Sequence, residues 1–448
     1  MPDYRSLPSV TSLASSPELE ILPEKVRILV AQRTIESARR AIADNEEFDI
    51  LELARAEARS IVTRHFHEVK NMSGVILHTG LGRAPTFDVS GEGYSNLEFD
   101  LETGKRGDRQ DHVRHLLCEL TGAEDAMVVN NGAAGVLLTL TALCQRKEVL
   151  LSRGQSVEIG GSFRMPDVIK ASGCKLIDVG ATNKTYVRDF EEAITPKSAA
   201  ILRCHPSNFE IRGFVEEPSL IELASLAHAR GILFINDQGN GAISDFAKFG
   251  LRDVETLPQS VAANVDITIG SGDKLLGGPQ CGIILGRKEL ISKLKKHPLA
   301  RALRIDKNSL LILQATLRHY LFGSTNEIPL FKILEYPAEM VFGWCEAIVP
   351  DGAKIVETIT EIGSGAAPGQ GVKSYAISLD SKNPDKLLAN LRKKRIIGRI
   401  HKGQVLLDPR TVAEYIVTFS ARTGEPAIDV QRATSLKKQL SECWNQWK

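Results

Sequence analysis

Between about residues 120 and 290, short apolar runs alternate with helical stretches, and this alternation restricts the chain more than any other feature. Ala126 to Val129, Lys147 to Leu151, Ala199 to Arg203, Gly231 to Ile235 and Val265 to Ile269 read as strands, each bounded by Gly, Asp, Asn or Ser. Gly135 to Leu143 and Ser219 to Arg230 read as helices between them. Parallel strands need a crossover, and a helix supplies it. The middle of the chain is therefore an α/β domain, a largely parallel sheet covered on both faces.

The flanking segments differ. Up to about residue 70 the pattern is helical, with Ile28, Ala31, Ile35, Ala38 and Ile42 on one stripe. A second run holds Leu51, Ala54, Ala58, Ile61 and Val62. Arg27, Arg33, Arg39, Arg40, Arg55, Arg59 and Arg64 accompany these helices, as solvated faces or as a platform for a polyanion. From about residue 335 a smaller α/β unit is expected. There Ser374 to Leu379, Ile396 to Ile400 and Gln404 to Leu407 read as strands, Pro384 to Lys393 as a helix and Gly363 to Gly371 as a loop.

Composition removes several alternatives. No stretch approaches the roughly 20 unbroken apolar residues that span a bilayer, and residues 1–16 lack a basic-then-apolar leader. A cytoplasmic protein is expected. The seven cysteines are scattered, odd in number and without a Cys-x-x-Cys pair, which argues against a disulfide framework or a structural metal site. With 56 basic and 55 acidic residues, net charge does not by itself announce a nucleic-acid binder.

Three loops carry the chemistry, because ligands of open α/β sheets bind beyond the carboxyl ends of the strands. Asn130-Asn131-Gly132-Ala133-Ala134 follows a strand and opens a helix, a good phosphate cradle. Asp237-Gln238-Gly239-Asn240-Gly241 places a carboxylate where it would keep a pyridine nitrogen protonated. Ser271-Gly272-Asp273-Lys274 places a lysine between two apolar runs, where desolvation would free its amine for Schiff-base chemistry. A phosphate turn, an acid and a lysine in that order match the aspartate-aminotransferase-like pyridoxal-5′-phosphate (PLP) enzymes, with Lys274 as cofactor anchor and Asp237, Asn131, Gly132, Ala133 and Ser271 around it.

Longer motifs carry a resemblance: LPSV (Leu7 to Val10), HTGLGRAP (His78 to Pro85), YSNLEFDLETGKRGDR (Tyr94 to Arg109), ELTGAEDAMVVNNGAA (Glu119 to Ala134), SRGQSVEIGGSFRMPDV (Ser152 to Val168), the VGATNKT run from Val179, SGDKLLGGPQCGIILG from Ser271, and HPLARALRIDK from His297. In these motifs, over nearly its whole length, the chain resembles the bacterial selenocysteine synthases, the L-seryl-tRNA(Sec) selenium transferases. The resemblance implies the aspartate-aminotransferase-like PLP fold (fold type I), with a small helical N-terminal domain and a smaller C-terminal α/β domain. The division is 1–70 for a tRNA-binding domain and linker, 71–335 for the PLP-binding core and 336–448 for the small domain. It implies conversion of L-seryl-tRNA(Sec) to L-selenocysteinyl-tRNA(Sec) with selenophosphate, through an aminoacrylyl-tRNA. It also implies a homo-oligomeric ring of dimers, a decamer, with active sites at dimer interfaces.

Residue by residue, Lys274 matches the family's PLP lysine, Asp273 its acidic neighbour, and Arg83, Arg301 and Arg304 the arginines that hold the selenium donor. Guanidinium forks suit a tetrahedral oxyanion, and Arg301 and Arg304, three apart, would share a helix face. Arg106, Arg109, His78 and His205 are further candidate pocket residues. The chain departs from the family's usual wording at Met72, Gly80, Gln238 and Asn240. The competing reading is a PLP-dependent lyase or transferase acting on a small free amino acid or amino-sugar acid.

Overall fold

The computed structural model describes residues 4–44, 46–62, 66–87, 89, 93–159, 163–206, 209–363, 365–419 and 426–447. Arg64 and residues 160–162 of the Ser152 to Val168 motif lie outside the described residues. The chain divides into two compact units, Met1–Val69 and Lys70–Lys448.

The first unit contains helices α1 (Val10–Ala14), α2 (Glu24–Ala43) and α3 (Ile50–Val62). Ser9 caps α1 by accepting the Ser12 N–H at 3.1 Å, which satisfies a donor the helix cannot. Both other helices pack on α2, which buries Val30, Ala31, Thr34, Ile35 and Ala38. Its buried face is therefore rotated from the expected stripe, and Ile28 stays 40% exposed. Ala31, Ile35 and Ala38 of the expected stripe are buried, joined by Val30 and Thr34. Arg33, Arg39, Arg40, Arg55 and Arg59 are exposed.

The second unit is built on a seven-stranded sheet. In chain order its elements include α4 (Asp111–Thr121), β1 (Asp125–Val129), α5 (Gly132–Cys144), β2 (Glu148–Ser152), β3 (Lys175–Val179), β4 (Ser198–Cys204), α6 (Leu220–Ala229), β5 (Leu233–Asp237), β6 (Ile267–Ser271), β7 (Gly282–Gly286), α7 (Pro298–Ala302) and α8 (Lys307–Leu321). The strand order is β1-β7-β6-β5-β4-β2-β3. Only β7 runs antiparallel to its neighbours.

Strand alternation distributes side chains to both faces. Ala126 and Val128 of β1 pack with Val113 and Leu117 of α4 and Leu313 and Leu317 of α8. Met127 and Val129 pack on the other face with Ala134 and Leu138 of α5 and with Ile267 and Ile269 of β6. Each fully buried Val, Ile or Leu contributes about 1.5–3 kcal/mol. Helix ends are set locally. Ser219 and Glu222 form a capping box at α6, and Gly122, at φ 75°, ends α4.

The end of the chain carries an antiparallel sheet of β8 (Lys354–Glu361), β9 (Gly371–Leu379), β10 (Arg399–His401) and β11 (Gln404–Leu407), in the order β8-β9-β11-β10. Its own core includes Met72, Trp344, Ile377, Leu391 and Trp444. Two of these strands depart from expectation. The run Ile396 to Ile400 breaks at Gly398, and its first half pairs instead with Lys70 and Asn71. Strand β8 has no clear apolar run, because only one of its faces is covered. All seven cysteines are free, six of them buried and Cys118 half-buried. Among the described residues, no helix is long and apolar enough to cross a membrane.

Candidate active site

The carboxyl ends of β1, β4, β5 and β6 meet at one edge of the sheet, beside a cavity of about 370 Å³. That volume falls in the range of small-molecule and cofactor sites, about 300–1,000 Å³. Asn131, Gly132, Ala133, Asp237, Ser271, Asp273, Lys274 and Arg83 all line it. The strands run two residues further than the sequence suggested. Asp237 and Ser271 are the last residues of β5 and β6, still paired to Cys204 and Gly282 across the ladders. Both side chains therefore project from a rigid sheet edge.

The turn after β1 is a helix start. Asn131 caps α5, its Oδ1 accepting the Ala134 N–H at 2.8 Å. The N–H groups of the helix's first turn are therefore directed towards the cavity, at the positive end of the helix dipole. A Cβ at position 132 would lie 2.6 Å from Ser271 Oγ. Glycine there brings bare backbone and a hydroxyl together, which suits a phosphate.

Lys274 sits in a tightly held loop. Gly272 N–H donates to the Cys281 carbonyl, Leu275 N–H to Asn240 and Gly277 N–H to Lys274, each at 2.9 Å. The Tyr320 hydroxyl donates to the Leu276 carbonyl at 3.0 Å. Lys274 itself is only 6% exposed. Burial holds its amine below the ordinary lysine range, with Arg83 adding to that effect and Asp237 and Asp273 opposing it. Burial pushes the Asp237 carboxyl up to about 6, against the attraction of Lys274. A buried carboxyl with a raised pKa is poised to ionise when a positive ring nitrogen faces it. A buried amine, a facing acid and a phosphate turn in one cavity fit the functional groups of PLP.

Arg83 donates to Asp273 Oδ2 at 2.7 Å, and Asp273 is buried. Arg83 has φ 64°, a left-handed conformation unusual for a residue with a side chain. Arg301 and Arg304 are not in this cavity. They line a separate cleft of about 240 Å³ with Glu98, Arg106 and Arg109. Nor do they share a helix face, because α7 ends at Ala302 and Arg304 bridges to Val129 of β1. Arg109, Arg106 and Arg304 all reach the Glu98 carboxylate, at 2.5, 2.8 and 3.2 Å. Hydrogen bonds from Arg109, foremost, and Arg106 hold Glu98 below the usual carboxylate range. Arg301 makes no ion pair among the described residues.

Three residues of the cavity wall were not singled out as site residues in the sequence. Cys204, Val157 and Gln280 line the cavity. The Gly-rich loop closes in on the lysine, since a Cβ on Gly365 would sit 3.6 Å from Lys274 Nζ. Gln238 and Asn240 are fully buried, and the Gln238 amide donates to Asn240 Oδ1 and to the Glu255 carbonyl. These two departures thus build an amide clamp behind Asp237. His78 and His205 each keep a buried Nδ1 with no partner, but only His205 lines the cavity.

The family described as L-seryl-tRNA selenium transferase (SelA) matches residues 69–413. The chain is 40% identical to the L-seryl-tRNA(Sec) selenium transferase of Carboxydothermus hydrogenoformans, over 94% of this chain and 97% of that one. It is 42% identical to the protein of the same name from Geobacter sulfurreducens, over 81% and 82%. Among solved structures, D-glucosaminate-6-phosphate ammonia-lyase matches with a TM-score of 0.57 at 21% identity, covering 85% of this chain and 96% of that one. That likeness shows the fold, the α/β architecture of fold type I.

Proposed function

This chain belongs to the L-seryl-tRNA selenium transferase family, and from that premise we propose that Lys274 is the residue on which the reaction is built. The protein converts L-seryl-tRNA(Sec) to L-selenocysteinyl-tRNA(Sec) with pyridoxal 5′-phosphate as cofactor. The observation that carries the assignment is the buried Lys274 amine, in one cavity with Asp237 and the Asn131–Ala133 turn.

When bound, PLP supplies an electron-withdrawing ring that stabilises negative charge on the substrate's α-carbon. Lys274 anchors it and moves the proton at the seryl α-carbon, a role suited to an amine whose pKa burial has lowered. Asp237 keeps positive charge on the ring nitrogen. The first turn of α5 and Ser271 hold the phosphate. Asp273 fixes Arg83 at the cavity wall, where its guanidinium takes an oxyanion of selenophosphate. Arg301 and Arg304 lie in their own cleft, and Arg301 is exposed without an ion pair among the described residues. We assign both to the donor site of a neighbouring subunit in a ring of dimers, a homodecamer. The exposed arginines of α2 and α3 support a tRNA-binding role for residues 1–70. A charged tRNA as substrate supports a cytoplasmic location.

The test is Lys274→Ala in the full-length protein. The visible absorbance of bound cofactor and the conversion of seryl-tRNA(Sec) are both expected to disappear. Normal turnover by this variant would overturn the assignment.

A further inference from the structure

PLP presents four polar groups: an aldehyde, a phosphate, a ring nitrogen and a phenolic oxygen. Lys274, the α5 turn with Ser271, and Asp237 account for three. The phenolic oxygen has no partner in that assignment.

One wall of the cavity has a polar atom to spare. His205 directly follows β4, the neighbour of β5, and its backbone N–H donates to the Asp237 carbonyl at 2.9 Å. It is therefore pinned beside the residue assigned to the ring nitrogen. His205 lines the cavity, and its Nδ1 is buried with no hydrogen-bond partner. Among the described residues lining this cavity, no other side chain leaves a buried nitrogen or oxygen bare. Native proteins rarely leave such atoms unpaired, and an orphan on a residue that lines a cavity points to a contact that a ligand completes.

We infer that His205 is a further cofactor-contacting residue, its imidazole N–H donating a hydrogen bond to the phenolic oxygen of PLP. The inference rests on the reading that the cofactor occupies this cavity on Lys274. The electrostatics agree. Burial lowers the His205 pKa, Arg203 and Lys274 lower it further, and Glu255 opposes them. The ring is neutral near pH 7 and keeps one N–H to donate. The other charged groups of the cavity are Asp237, Asp273 and Arg83, the last two paired with each other.

A hydrogen bond to the phenolic oxygen stabilises its anion and competes with the proton that oxygen shares with the nitrogen joined to Lys274. His205 therefore lowers the pH at which that proton leaves. The measurement is a pH titration of the visible cofactor band in full-length holoenzyme, comparing wild type, His205→Ala and His205→Phe. Phe fills the same wall and donates nothing. Both variants are expected to raise the midpoint by about one pH unit, or ~1.4 kcal/mol. Cofactor affinity is expected to fall by about tenfold, the same figure read as an equilibrium constant. Should the Ala variant fail to fold, the Phe variant gives the reading. An unchanged midpoint in a variant that carries cofactor would overturn the role of His205. A wild-type protein that shows no cofactor band at all would instead overturn the underlying assignment to Lys274.

Discussion

Asp237 and Lys274 are displaced towards their neutral forms, the acid to about 6 and the amine below its ordinary value, because one cavity desolvates both. The consequence for stability has a definite sign. With no cofactor bound, the folded protein keeps the Asp237 proton up to about pH 6, whereas the unfolded chain releases it near pH 4. Stability therefore declines from about pH 4 to about pH 6 through this group, by about 3 kcal/mol at most. That figure is an upper bound, because the side chain is partly open to the cavity. Asp237→Asn should remove this slope, so the cofactor-free variant gains stability over wild type across that window and stays level above it. Denaturant melts at several pH values measure this. The same variant should turn over about 10- to 1,000-fold more slowly, the one to three pKa units that an opposite charge supplies to the ring nitrogen. The loss is functional where the stability change is favourable.

The site depends on how closely elements approach. The turn after β5 crosses the end of β6 at Gly241, where φ is 73° and a Cβ would lie 2.0 Å from the Ser271 carbonyl oxygen. Gly241→Ala should cost about 1–3 kcal/mol from backbone conformation alone. Overlap with Ser271 adds to that and moves the hydroxyl proposed to bind the cofactor phosphate. Denaturation and cofactor titration of the variant should show both losses together. Strands that are buried on both faces, such as β1 and β4, were legible as apolar runs. Strand β3 was not, because it lies at the sheet edge and Lys175 and Asp178 are exposed. The ends of β5 and β6 were set two residues short. Asn236-Asp237 and Gly270-Ser271 look like loop chemistry until the neighbouring ladder continues past them.

At the scale of the molecule, the division at Val69 and Lys70 separates two units with their own cores. A chain of residues 70–448 should keep the visible cofactor band. Its affinity for tRNA(Sec) should fall by about tenfold or more, with a shallower salt dependence, because the proposed phosphate contacts to the arginines of α2 and α3 would be lost. A gel-shift across a salt series checks this, and unchanged affinity would remove the RNA role from residues 1–70.

Features that depend on near neighbours were open to reading from residues 1–448 alone. The α/β alternation, the turn that opens α5, and a lysine between two apolar runs are local patterns of size, polarity and backbone freedom. The strand order β1-β7-β6-β5-β4-β2-β3 belongs to the tertiary structure, since it joins segments more than a hundred residues apart. That order brings Asp237, Ser271 and the Asn131 turn to one cavity and sets Arg301 and Arg304 in another. It also leaves the Nδ1 of His205 bare beside Asp237. Whether a polar atom is paired depends on atoms that only folding brings within reach, so no spacing along the chain could have marked it.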